Sequence, residues 1–118
     1  MSAEGRVSLP LKMHQGTHYQ VFGDTTKPTI VLVHGVGLDH TMWHRIIPLA
    51  DHLRLIIPDQ RGFGQSTESH SKSKPLSSIM QLADDVAKLL DALHIDEPAV
   101  IAGISMGGYV AQHVAVRH

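Results

Sequence analysis

The stretch that decides the fold is Ala102-Gly103-Ile104-Ser105-Met106-Gly107-Gly108, a Gly-x-Ser-x-Gly turn between an apolar run that reads as a strand and a segment that reads as a helix. In that context a serine is a candidate nucleophile, because a sharp strand-to-helix turn lifts Oγ above the strand ends and aims it at a pocket. Such a turn strains the serine backbone, and side chains two residues before and after it would collide, which accounts for Gly103 and Gly107. The helix that follows brings its N-terminal dipole and the Met106 N–H beside the carbon that Ser105 would attack. A small-residue turn arising by chance is the plainer alternative, and the flanking strand and helix weigh against it.

Working outward, Thr29-Ile30-Val31-Leu32-Val33, Leu53 to Pro58 and Ala99 to Gly103 lack polar alternation. They are predicted as strands buried on both faces of a parallel sheet. Between the last two, Ile79, Leu82, Val86, Leu89, Leu90 and Leu93 recur at helical spacing, Ser78 and Gln81 form a capping box, and Asp84 precedes Lys88 by one turn. A shorter helix is expected from Met42 to Ala50, with Pro48 as an interruption. Val7-Ser8-Leu9 and His18 to Phe22 flank Gln15-Gly16 and predict an antiparallel hairpin. Gln65 to Ser78, rich in Ser, Lys and His, reads as one exposed loop. Strands alternating with helices give the α/β class, a hairpin leading into a mostly parallel sheet with helices on both faces.

The chain has 118 residues, 42% apolar and 18% charged, which accommodates one domain over residues 1–118. Ten Lys+Arg against eleven Asp+Glu leave a net charge of -1, so composition does not favour nucleic acid as a partner. The absence of cysteine removes disulfides, Cys-based zinc sites and Cys nucleophiles. The start, Met1-Ser2-Ala3-Glu4-Gly5-Arg6, does not resemble a signal peptide. Pro98 to Ala111, uncharged but broken by glycines and a serine, is short of the ~18 apolar residues of a membrane span. A cytoplasmic protein without membrane contact is therefore expected, and its oligomeric state is not legible.

Two further segments converge on the carboxyl edge of the predicted sheet, where open α/β sheets bind ligands. Val33-His34-Gly35-Val36-Gly37 ends the first buried strand in a Gly-rich loop. The Val36 and Met106 N–H groups would pair on the oxygen of a tetrahedral intermediate. Asp59-Gln60-Arg61-Gly62-Phe63-Gly64-Gln65-Ser66 follows the next strand. Asp59 there can accept backbone N–H bonds and Arg61 can brace neighbouring loops, a structural role rather than a catalytic one. Neither Gly-x-Gly-x-x-Gly nor Gly-Lys-Ser/Thr occurs, which sets aside a phosphate loop.

Taken together, Val-His-Gly-Val-Gly, Asp-Gln-Arg-Gly-Phe-Gly-Gln-Ser and Gly-Ile-Ser-Met-Gly-Gly resemble the α/β-hydrolase superfamily, especially its branch of enol-lactonases and esterases. The resemblance implies Ser105 as nucleophile, the N–H groups of Val36 and Met106 as oxyanion hole, and His34, Gly35, Gly37, Asp59, Arg61, Gly103 and Gly107 as structural support of the site. It places Trp43 and the helix after Ser78 at the family's first two helices. It implies a serine hydrolase of small carboxylic esters or lactones, without cofactor.

Each of the candidate bases among the ten histidines is less suited than the family pattern requires. His14 and His18 flank the predicted turn without a third ligand. His40 and His44 could share a helix face near Asp39, but a polar pocket rim is the simpler account, and no metal is expected. His52, His70 and His94 read as solvated loop residues. The family order is Ser, then acid, then His. Met106 to His118 contains no Asp or Glu, and His113 and His118 fall on the helix leading away, roughly 12 Å or more from Ser105. The expectation is the N-terminal portion of a hydrolase domain, with cap, later strands and triad partners absent and activity lost. The alternative is a non-catalytic module whose open sheet edge pairs with another chain.

Overall fold

The computed structural model describes residues 7–9, 17–64, 66 and 78–118, with residues 7–9 described as backbone. Its elements are β1 (Val7–Leu9), β2 (Tyr19–Phe22), β3 (Thr29–Val33), a 3-10 helix (His40–Asp51), β4 (Arg54–Pro58), α1 (Ile79–Ala92), β5 (Val100–Gly103) and α2 (Met106–Arg117). The strands form a five-stranded sheet in the order β1-β2-β4-β3-β5. β1 and β2 pair antiparallel with Val7 opposite Val21, and β2 pairs antiparallel with β4. β4 and β5 flank β3 in parallel, with Val31 opposite both Ile56 and Ile101. The hairpin and the α/β class agree with the sequence, whereas the Gln15-Gly16 turn and most of the Gln65 to Ser78 loop lie outside the described residues.

Alternation along the strands divides the core between the two faces of the sheet. Val31, Val33 and Ile56 point to one face and pack with Leu82, Val86, Leu89, Val110 and Val114 of α1 and α2. Leu32, Leu55 and Ile57 point to the other, under Trp43, Ile46, Ile47 and Ala50 of the 3-10 helix. Each such fully buried aliphatic side chain contributes about 1.5–3 kcal/mol relative to exposure. β3 and β4 carry no polar alternation because they are covered on both faces. At their amino ends Arg54 Nε donates to Thr29 Oγ1 at 2.9 Å, and its Nη2 approaches Glu97 at 3.3 Å.

The capping box predicted at Ser78 is present. Ser78 Oγ accepts from the Gln81 N–H at 3.1 Å, and Gln81 Oε1 accepts from the Ser78 N–H at 3.0 Å. Three expectations differ from the structure. The segment expected as a Met42 to Ala50 helix is a 3-10 helix over His40–Asp51, with Pro48 inside it. A proline without an N–H, whose ring collides with the carbonyl four residues earlier, disfavours the wider α turn there. β5, expected to be buried on both faces, is the sheet's edge among the described residues, and Val100 is 61% exposed. Asp84 makes its described ion pairs with Arg117 at 3.4 Å and His118 at 2.9 Å rather than with Lys88, because the end of α2 lies against α1.

Candidate active site

The site is built where β5 turns into α2. Ser105 has φ 56 and ψ -123, a left-handed backbone occupied by a residue other than glycine. The bend is closed by Gly107 N–H donating to Ile104 O and Gly108 N–H donating to Ser105 O, each at 2.8 Å. A Cβ on Gly103 would fall on the Gly107 carbonyl, and a Cβ on Gly107 would fall on the Val33 carbonyl. The two glycines thus let the first turn of α2 rest on the ends of β5 and β3, and any side chain would lever it away. Ser105 is exposed, and its side chain makes no capping hydrogen bond to α2.

The loop after β3 comes alongside. A Cβ built on Gly35 would lie 3.4 Å from the Ser105 Cβ, ordinary contact that puts the two loops side by side. Val36 and Gly37 form a turn in which Gly37 has φ 76 and Leu38 N–H donates to Gly35 O at 3.2 Å. Neither the Val36 N–H nor the Met106 N–H has an acceptor among the described residues. Both donors are uncommitted beside an exposed serine, as stabilisation of a developing oxyanion requires. Val36, Leu38, Ile104 and Tyr109, on the two loops and the first turn of α2, are between 47% and 63% exposed.

Beneath this loop lies a polar brace in which His34, Asp59 and Gln60 are buried. The Gln60 N–H donates to His34 Nε2 at 2.9 Å, so Nε2 is unprotonated and Nδ1 carries the hydrogen that reaches Gly35 O at 2.7 Å. The Gln60 side-chain amide also donates to His34 O at 2.7 Å. Asp59, with no exposed surface, accepts from the His40 N–H at 2.7 Å. Arg61 makes a two-pronged contact with Asp85 of α1, Nε at 3.0 Å and Nη2 at 2.8 Å. Asp39 caps the 3-10 helix, and its hydrogen bonds from the Thr41 hydroxyl and backbone N–H hold its carboxyl below the ordinary aspartate value.

Sequence spacing kept His18 and His40 in separate candidate pairs, yet the fold brings both onto Asp59, with His18 Nδ1 at 3.1 Å and His40 Nδ1 at 2.8 Å. His18 precedes a strand that pairs with the end of β4, and this long-range register carries no local signal in the sequence. His118 lies against Asp84, away from Ser105. A cavity of about 630 Å³ lined by Leu90, Ile95, Pro98, Ile101 and Val114 opens at the amino end of β5, opposite the elbow. No helix among the described residues is long and apolar enough to cross a membrane.

A mixed sheet whose parallel strands are covered on both faces, with a strained serine at a strand-to-helix turn, defines an α/β-hydrolase domain. Residues 28–118 match the family described as alpha/beta hydrolase fold, and the chain belongs to that family. It is 36% identical over 107 residues to a pimeloyl-acyl-carrier-protein methyl ester esterase of Vibrio campbellii, covering 88% of this chain and 37% of that protein. It is 38% identical over 93 residues to 3-oxoadipate enol-lactonase 1 of Acinetobacter baylyi, covering 78% of this chain and 33% of that protein. Among solved structures it superposes on a malate-bound thermophilic esterase from Thermogutta terrifontis with TM-score 0.74 and 34% identity, covering 95% of this chain and 40% of that one. The chain thus spans little more than a third of the length of the curated relatives it matches.

Proposed function

We infer that this chain carries the nucleophile and oxyanion half of a serine hydrolase acting on small carboxylic esters or lactones. The observation that carries the reading is the exposed, positive-φ Ser105 beside the uncommitted Val36 and Met106 N–H groups. Ser105 Oγ would attack the ester carbonyl and lose its proton to a base, while the carbonyl oxygen gains charge between the two N–H donors. Collapse would expel the alcohol, or open the lactone ring, and water would release the acid and restore Ser105. The enol-lactonase and esterase names of the relatives support this class.

The base and its orienting acid are assigned outside these 118 residues. Among the histidines of the chain, His34 is committed to Gly35 and Gln60, His40 to Asp59 and His118 to Asp84. The chain by itself is therefore inactive towards esters, since removing a triad base costs on the order of a millionfold in kcat. Fluorophosphonate labelling with peptide mapping tests the assignment. Slow labelling at Ser105, accelerated by added imidazole and abolished in Ser105→Ala, is expected. Labelling that survives in Ser105→Ala, or a folded chain that imidazole leaves unlabelled, overturns it and favours a non-catalytic module.

A further inference from the structure

Behind the oxyanion loop, three segments distant in sequence meet in a cluster that ester hydrolysis does not use. His18 stands just before β2, His40 opens the 3-10 helix and Asp59 follows β4. His18 Nδ1 lies 3.1 Å from Asp59 Oδ2, and His40 Nδ1 lies 2.8 Å from Oδ1 and 3.0 Å from Oδ2. The three donor atoms all fall within 4.8 Å of one another. The imidazoles are not stacked: their centroids are 5.2 Å apart and their planes are inclined by 50°, so the two rings approach the carboxylate from different directions.

We propose that His18, His40 and Asp59 form a binding site for a divalent transition-metal ion, Zn²⁺ fitting the donor set best. Two imidazole nitrogens and one carboxylate are borderline ligands that suit zinc, whereas Ca²⁺ and Mg²⁺ favour all-oxygen sets. Bonds of 2.0–2.2 Å in a tetrahedron put neighbouring ligand atoms about 3.3 Å apart. The nitrogen-to-oxygen separations of 2.8 and 3.1 Å therefore need to open by only a few tenths of an ångström. The ion would take the place of the hydrogen that each Nδ1 shares with the carboxylate, and each neutral ring would carry its single N–H on Nε2 instead. A dication also compensates the charge of a carboxylate with no exposed surface.

The ligands are held in advance by hydrogen bonds around them, as metal sites require. The His40 N–H fixes Asp59 Oδ1 at 2.7 Å, and the Asp59 N–H donates to His18 O at 2.9 Å. Buried Ser66 accepts from the His18 N–H at 2.8 Å and donates to Asp59 O at 2.7 Å. The two imidazoles retain 13% and 12% of their side-chain surface, which leaves a path for the ion and for water as a fourth ligand. Bound there, the ion would cross-link the start of β2, the exit of β4 and the helix that follows the oxyanion loop.

Titration of the purified chain with ZnCl₂ against a chromophoric chelator, with X-ray absorption at the zinc edge, tests the site. One equivalent bound at micromolar affinity or tighter, two imidazole nitrogens in the ligand shell, and a rise in Tm on adding zinc are expected. His18→Gln and His40→Gln should each weaken binding by about tenfold or more, at least what removal of an outer-shell partner costs. His113→Gln on α2 should leave it unchanged. Failure to bind, or tight binding insensitive to both His18→Gln and His40→Gln, overturns the site. Should one of these variants fail to fold, the other and the ligand shell of the unaltered chain still decide.

Discussion

Replacing Ser105 with glycine should stabilise the protein while removing its proposed nucleophile. At φ 56 and ψ -123, Ser105 occupies backbone space that costs a residue with a Cβ about 1–3 kcal/mol and that glycine enters freely. Its exposed side chain makes no capping hydrogen bond, so deleting it forfeits little. Against that relief stands the wider freedom of glycine in the unfolded chain, about 0.5–1 kcal/mol. The balance is a gain of up to about 2.5 kcal/mol for Ser105→Gly. Ser105→Ala should stay near zero, because alanine keeps the Cβ that makes the conformation costly. Urea unfolding of both variants beside the parent, compared at equal m-values, measures the difference, which corresponds to a few degrees in Tm. If Ser105→Gly is no more stable than Ser105→Ala, the elbow holds no strain and the reasoning fails.

Two further expectations concern the brace. Arg61→Ala leaves the half-buried Asp85 without its two-pronged partner and should cost about 1–3 kcal/mol in chemical unfolding, with Arg61→Lys recovering only part because a single ammonium cannot match the fork. Asp39, whose carboxyl is held low first by the Thr41 hydroxyl and then by its N–H, contributes stability that is present above the ordinary aspartate value and lost as pH falls through its depressed one. Thr41→Val should bring the Asp39 titration, followed by carboxyl NMR, back toward the ordinary value; an unmoved titration would show that the hydroxyl is not the cause.

Local order was legible where the cause is local. The β-branched run Thr29–Val33 forms β3 with the predicted bounds, and Ser78 and Gln81 cap α1 as their spacing requires. Gly103 and Gly107 mark the close approach of α2 to β5 and β3. The 3-10 form of His40–Asp51 was not legible, because its apolar positions fit an α-helix equally well and the single sign was Pro48. For Asp84, a partner one turn away on its own helix was the natural expectation, and the packing of α2 on α1 supplied Arg117 and His118 instead.

What the sequence alone determined is the order of strands and helices, the capping box and the serine turn, since each depends on residues within one or two turns of one another. The partner of Arg61, the neutral Nδ1–H form of His34 and the meeting of His18, His40 and Asp59 were decided by tertiary structure. They depend on which strands lie side by side at the carboxyl edge of the sheet. Because β2 runs antiparallel to β4 while β3 runs parallel to it, the start of β2 and the ends of β3 and β4 come together there. Residues separated by tens of positions then share one buried carboxylate.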